Sequence, residues 1–387
     1  MHGVEPVGGG SMDLSVFFAM GVGLLFLLGF VNGMNDVSKG IATLSGSGES
    51  SLSGAVGWGS VWTALGSASG IFWGGALLKT IQTGIFEKNI SLSISADLAV
   101  VVASIGWVLL ASLRGWPVST THAIVGGLIG AGIATAGAKH IAWGHTLRSI
   151  ALPLLFSPFI AIFLGYAATA VLLRTVGPLG RYKICLFPVP GRIAVITGQT
   201  AAMEAPVAES CTVCDVDSRA AEMHAGLRID DGHVHWITSG LLSYARGLND
   251  TPKFIAVVLP ITVAMAGMNF PPGGLFLVAA IAIGAGSWFG GRKVTTVLSF
   301  KITRMNRHQG LLANAISAFL VIFASRLGLP VSTTHVSAGA IMGVGVTGKG
   351  GVARHTVKTM VVAWLVTVPA SALFAGVLAV VLERLIR

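Results

Sequence analysis

Charge is what this chain has least of: among 387 residues only 10% are Asp, Glu, Lys or Arg, against 53% hydrophobic and a mean hydropathy of +0.80. A soluble domain of this length could not stay in solution with so few charges, so an integral membrane protein is expected. Cysteine is nearly as scarce, with three residues, all between 181 and 235, so the apolar part has no disulfide to hold it. A net charge of +10 is present, but its basic residues are scattered between apolar runs and form no stripe, which excludes a nucleic-acid partner. What is plentiful is Gly, at 52 residues, together with nine Trp. That mixture suits helices that approach closely in lipid and anchor at its interfaces.

Ten apolar segments stand out, most near the roughly 20 residues that a spanning helix requires: 14–34, 54–78, 97–113, 118–137, 149–173, 237–266, 273–291, 309–326, 331–347 and 359–383. Five fall in each half, and an odd number per half inserts the second half upside down relative to the first. The expected fold is therefore an all-α integral membrane protein, an inverted-topology repeat of two five-segment halves. Counting broken helices and re-entrant hairpins separately gives ten to twelve helices, and 118–137 and 331–347 are the segments a re-entrant hairpin would imitate. The expected divisions are a lead at 1–12, a first membrane repeat at 13–173, a hydrophilic insert at 174–236 and a second repeat at 237–387. Segment 14–34 reads as a retained helix, without a basic leader or a cleavage site. Alternate connections carry sixteen Lys and Arg on one side, Lys39 and Arg114 among them, and seven on the other. The positive-inside bias then puts the insert in the cytoplasm and both termini outside the cell membrane.

The halves are related by sequence. The hexapeptide Pro-Val-Ser-Thr-Thr-His occurs at 117–122 and 330–335, and the pairs Asn35-Asp36 and Asn249-Asp250 precede it by about eighty residues. The offset between copies is 214 residues at the Asn-Asp pairs and 213 at the hexapeptides. Polar groups repeated in apolar surroundings are how a pseudosymmetric transporter builds a site between its halves. In the Asn-Asp copies a carboxylate ends an apolar run, and Pro252 with the flanking glycines predicts that the helix breaks there, freeing carbonyls for a cation. A helix cap at the membrane edge is the bland alternative. In the hexapeptides, Pro117 and Pro330 fit helix starts, and Ser119, Thr120, Thr121, Ser332, Thr333 and Thr334 place hydroxyls where backbone N–H groups lack partners. Such a tip cradles an anion, although a simple N-cap uses the same residues. Glycines 126, 130 and 132 align with 339, 343 and 345 and are expected to let these two helices approach each other. His122 and His335 read as structural, with a proton-shuttling role as the alternative.

These residues resemble the Pit-type inorganic phosphate transporters, through the paired Gly-x-Asn-Asp motifs, the paired hexapeptides and the stretch from Gly284-Ala285-Gly286-Ser287 to Lys301-Ile302-Thr303. The resemblance implies ion-coupled phosphate uptake with sodium or protons, contact with phosphate through the six Ser and Thr hydroxyls, and coupling-ion roles for Asn35, Asp36, Asn249 and Asp250. It also implies a homodimer. Two departures stand out: Thr63 and Asn314 occupy positions where the family commonly carries glutamate, and Lys39 and Lys253 each follow an Asp by three residues. A lysine there can do the electrostatic work of a bound sodium, favouring proton coupling; the alternative has both lysines snorkelling to the interface. Sulfate or another tetrahedral oxyanion would fit the same hydroxyls. An anion channel is disfavoured because polarity is concentrated in four short motifs, and an enzyme because no nucleophile stands beside a base. No cofactor is expected. In the insert, Cys185, Cys211 and Cys214, with His224, His233 and His235 nearby, make a weak zinc set, and free thiols are the default.

Overall fold

Long apolar runs leave backbone N–H and C=O groups no partners but each other, so in lipid they close into helices. The computed structural model describes residues 14–88, 90–175, 231–266, 272–346 and 351–386, with five short strands between 182 and 229. The first half holds α1 (Leu14–Gly46), α2 (Leu52–Trp73), α3 (Gly75–Thr83), α4 (Ile94–Arg114), α5 (Thr120–Thr135) and a short α6 (Trp143–Thr146) that runs through a π-turn into α7 (Leu152–Thr175). The second holds α8 (Asp231–Ala266), α9 (Pro272–Gly290), α10 (Arg292–Phe300), α11 (Arg307–Arg326), α12 (Thr333–Val346) and α13 (Arg354–Ile386). Among the described residues six helices are long and apolar enough to cross a membrane, or seven if α2 and α3, bent by 76°, form one span. The chain is a multi-span helical membrane protein.

The insert departs from an all-α chain. Strands β1 (Tyr182–Cys185), β2 (Ile193–Ala194), β3 (Glu204–Ala205), β4 (Val213–Asp215) and β5 (Arg228–Ile229) pair antiparallel, with β1 between β4 and β5 and β2 against β3. Cys185 ends β1 and Cys214 lies in β4 opposite Lys183, while Cys211 and His224 lie outside the described residues. His235 belongs to α8 and shares a hydrogen bond with Thr43 of α1, at 3.0 Å from Nε2 to Oγ1.

Packing follows the duplication. Helix α1 lies on α9 as α8 lies on α2, and α5 lies on α13 as α12 lies on α7. Helices α1, α2, α8 and α9 form a central group, flanked by α4, α5 and α13 on one side and α7, α11 and α12 on the other. The closest approaches are symmetric too: a Cβ on Gly66 would collide with the carbonyl of Tyr244, and one on Gly286 with that of Phe30. The glycines of α5 and α12 do not bring those two helices together, contrary to the expectation from their register. Gly126 and Gly130 meet Val368 and Ala372 of α13, and Gly339 and Gly343 meet Pro158 and Ile162 of α7. Each short helix buries its glycine face on the last long helix of the other half.

Two sets of contacts identify the ends of the bundle. At one end Arg307 bridges Asp231, at 2.8 Å, and Glu49, while Ala353 N donates to Ile302 O at 2.8 Å. At the other, Glu87 N donates to His140 O at 3.0 Å and Ser93 Oγ to Glu383 at 2.8 Å. Helix α1 thus finishes where its counterpart α8 begins. Helices α5 and α12, of 16 and 14 residues, are about 24 and 21 Å long, short of a hydrocarbon core of roughly 30 Å. Residues 116–119 and 329–332 precede them without helical structure, which completes each return path.

Helices α1 and α8 run unbroken through Asn35-Asp36 and Asn249-Asp250, so the predicted interruption is absent, even with Pro252 inside α8. In apolar surroundings nothing competes for the remaining backbone bonds, so the helix persists past the lost donor. Lys39 consequently sits inside a helix rather than a connection and drops out of the basic-residue count without changing its sign.

Ordinarily Gly→Ala in a helix stabilises by about 1 kcal/mol. For Gly66→Ala and Gly286→Ala the sign reverses, with a loss of about 1–3 kcal/mol from the backbone collision. Gly23→Ala, with no neighbour within 4 Å, keeps the ordinary sign. Thermal unfolding of the three variants in detergent checks this.

Candidate functional site

Residues three or four apart on a helix stand one above the other. Asp36 and Lys39 on α1, and Asp250 and Lys253 on α8, therefore form pairs within single helices: Lys39 bonds Asp36, and Lys253 Nζ lies 3.4 Å from Asp250 Oδ1. Neither lysine snorkels, since both are at most 1% exposed. Each ammonium also donates to a carbonyl just ahead of the hydroxyls, Lys39 to Val118 at 3.3 Å and Lys253 to Val331 at 2.9 Å. The asparagines tie the same helices to the ends of the helices that precede the tips. Asn35 Nδ2 donates to Ser112 Oγ at 3.2 Å and Trp116 O at 2.9 Å; Asn249 accepts from Ser325 Oγ at 3.1 Å and donates to Val331 O at 3.2 Å.

The two hexapeptides meet. The rings of His122 and His335 are 4.5 Å apart, and Thr334 Oγ1 donates across to Val118 O at 2.7 Å. Lys253, from the second half, reaches Thr121 Oγ1 in the first at 2.7 Å, and Asn32 donates to Thr120 Oγ1 at 3.0 Å. Ser119 and Ser332 act as N-caps, accepting from the backbone N–H of His122 and His335 at 3.2 and 3.3 Å. The Trp364 ring lies tilted by 38° against that of His335 at 4.1 Å, and its indole N–H donates to Pro117 O, fixing the first tip to α13. The six hydroxyl residues, the Asn-Asp pairs and the two lysines are all brought together, none of them more than 3% exposed.

Sequence reasoning missed Arg246, fully buried one turn before Asp250 and within electrostatic reach of both Asp36 and Asp250. Its Nη2 donates to Ser287 Oγ at 3.2 Å, whereas Nε and Nη1 have no partner among the described residues. The signal was legible, since an arginine inside an apolar run is costly wherever it is not used. By the 214-residue offset Arg246 is the counterpart of Asn32, whose Oδ1 also has no partner among the described residues. Thr63 and Asn314 are buried, with polar atoms that have no partner among the described residues. Buried polar atoms in proteins are almost always satisfied, by protein or by water, so the free donors of Arg246 are open to a partner beyond the described residues.

Two related half-chains that close many spans around one sealed polar centre have the architecture of a membrane transporter. The chain belongs to the phosphate transporter family, whose description matches residues 32–375, and it is a transporter rather than an enzyme. It is 27% identical over 401 residues to a Pyrococcus abyssi protein named as a candidate phosphate permease, covering 95% of this chain and 98% of that one. To a Rhizobium meliloti protein named as a probable low-affinity inorganic phosphate transporter it is 28% identical over 372 residues, covering 94% and 97%. A solved structure described as "The sodium-dependent phosphate transporter" superposes with a TM-score of 0.77 at 24% identity, over 95% of this chain and 99% of that one, so the fold is shared.

Removing Lys253 alone strands Asp250 in a sealed site. Lys253→Met is expected to cost about 3–5 kcal/mol, and Asp250→Asn together with Lys253→Met to recover most of that loss. Unfolding in detergent of the two singles and the double closes the cycle, and a double variant no better than Lys253→Met would refute the pairing.

Proposed function

We propose that this chain is a secondary transporter of inorganic phosphate. The carrying observation is the meeting of both hexapeptide tips, one from each half, over two buried Asp-Lys pairs. Phosphate binds between the tips, with hydroxyls from Thr120, Thr121, Thr333 and Thr334 facing its oxygens and Ser119 and Ser332 holding the helix N-termini that direct N–H groups at it. Asn35, Asp36, Asn249 and Asp250 couple its movement to an ion, and Lys39 and Lys253 set the local charge. The names carried by full-length relatives support phosphate over sulfate.

The repeat is inverted in the bilayer. Supporting this, α1 ends at the bundle face where α8 begins, and each half would cross an odd number of times if α2 with α3, α8, and the paths through 116–135 and 329–346 each counted as one crossing beside the long apolar helices. The basic connections, 174–236 among them, face the cytoplasm and both termini lie outside. With every site residue buried, the conformation is occluded. Opening to either side takes the flanking groups, which hold the tips, away from the central four helices, which hold the carboxylates.

Proteoliposomes given labelled phosphate, competed by sulfate and arsenate, test the reading. Uptake competed by arsenate and weakly by sulfate is expected. Asp36→Asn or Asp250→Asn is expected to abolish coupled uptake in folded protein, and Ser119→Ala with Ser332→Ala to weaken phosphate binding, each lost cap costing about 1 kcal/mol. A double serine variant with normal affinity would remove the tips from the site.

A further inference from the structure

Among the described residues, with His122 and His335 at the tips neutral, five charged side chains are buried at the centre: Asp36, Lys39, Arg246, Asp250 and Lys253. The other buried carboxylate in the described residues, Asp97, stands in the first turn of α4, about 22 Å along that helix from Ser112. The five do not balance. Each Asp-Lys pair sums to zero whichever partner holds the proton, and a guanidinium does not deprotonate in proteins. One positive charge is therefore left over, and it resides on Arg246. A fully buried guanidinium whose Nε and Nη1 have no partner among the described residues is short of acceptors, and an anion supplies them. Its fork presents N–H groups in the plane that suits two oxygens of a tetrahedral oxyanion. The other half places Asn32 at the equivalent position, and Asn32 reaches the hydroxyl of Thr120 in a hexapeptide tip. Position 246 is thus one from which a side chain addresses the tips.

Resting on the phosphate reading above, we propose that Arg246 is the anchor for the transported oxyanion, that the form bound is monovalent dihydrogen phosphate, and that binding needs no sodium. Charge closes to zero with that anion alone. The cation that a bare carboxylate would call for is already supplied at Asp36 by Lys39 and at Asp250 by Lys253, each tethered one helical turn away. The sodium dependence ascribed to the superposing transporter is then not shared, although the fold is.

The test is equilibrium binding of labelled phosphate to the purified full chain in detergent, in sodium chloride and in choline chloride, across a pH series. Equal affinity in the two salts is expected, within about the twofold scatter usual for such contributions, with affinity weakening as pH rises through the second ionisation of phosphate. Arg246→Gln is expected to lose roughly ten- to a hundredfold in affinity, the worth of a hydrogen bond to a charged group, with Arg246→Lys in between because it keeps the charge and loses the fork. Phosphate in choline buffer should raise the melting temperature of the wild-type chain and not that of Arg246→Gln, a difference that a merely structural arginine would not produce. Affinity that falls tenfold or more without sodium overturns the inference, as does Arg246→Gln binding like wild type, while both leave the phosphate reading standing. No phosphate binding by the wild-type chain in either salt overturns that reading and the inference with it. The sodium and pH series use unaltered protein and decide the matter even if Arg246→Gln does not fold.

Discussion

Everything at the centre of this protein depends on neutralising charge where water is absent. An isolated carboxylate inside an apolar bundle is prohibitively costly, and each half meets that cost in the same way, by placing a lysine one helical turn after the aspartate. Because the counter-charge is local, α1 and α8 need not unwind to bring in backbone carbonyls, and both run continuously past their Asn-Asp pairs. The ammonium groups then have donors to spare, and these reach the carbonyls of Val118 and Val331 at the base of the two tips. Neutralisation and positioning of the tips are the same interaction.

Small residues make that arrangement reachable. Gly66 and Gly286 let the central helices approach until backbone meets backbone, and the glycine faces of α5 and α12 do the same against α13 and α7. Without a hydrophobic drive between helices in lipid, close contact of this kind is a main source of association. It also divides the molecule by role. Carboxylates, lysines and Arg246 belong to the central four helices, hydroxyls to the flanking groups, and the site exists only where the two sets touch. On the proposed transport reading, relative movement of the sets would change the site without changing any helix.

The duplication was legible from the motifs alone, and so was a helical chain of many spans, because a membrane demands continuous apolar runs and repeats leave their spacing in the chain; of the ten apolar segments, six or seven correspond to described helices long and apolar enough to cross. Which residues are polar and shared was equally plain. The state of the backbone at the Asn-Asp pairs was not: Pro252 pointed to a break, and the helix continues because no solvent competes for its neighbouring groups. The partner of the α5 and α12 glycines was also hidden, since a small-residue face says that something comes close without saying what. Arg246 could have been noticed as a charge in an apolar run, but the role proposed for it rests on a sum over five side chains from two helices far apart in sequence.

The sequence by itself determined that this is a membrane protein of two related halves, and which hydroxyls, amides, carboxylates and ammonium groups those halves repeat. Hydropathy and periodicity are local properties, so the order of residues carries them directly. Only the tertiary structure decided that the two tips touch, that both lysines are sealed inside rather than drawn to the interface, and that cations outnumber carboxylates by one among the five charged side chains buried at the centre of the described residues. Those outcomes depend on distance and burial between segments some two hundred residues apart, and such quantities arise only when the helices are packed.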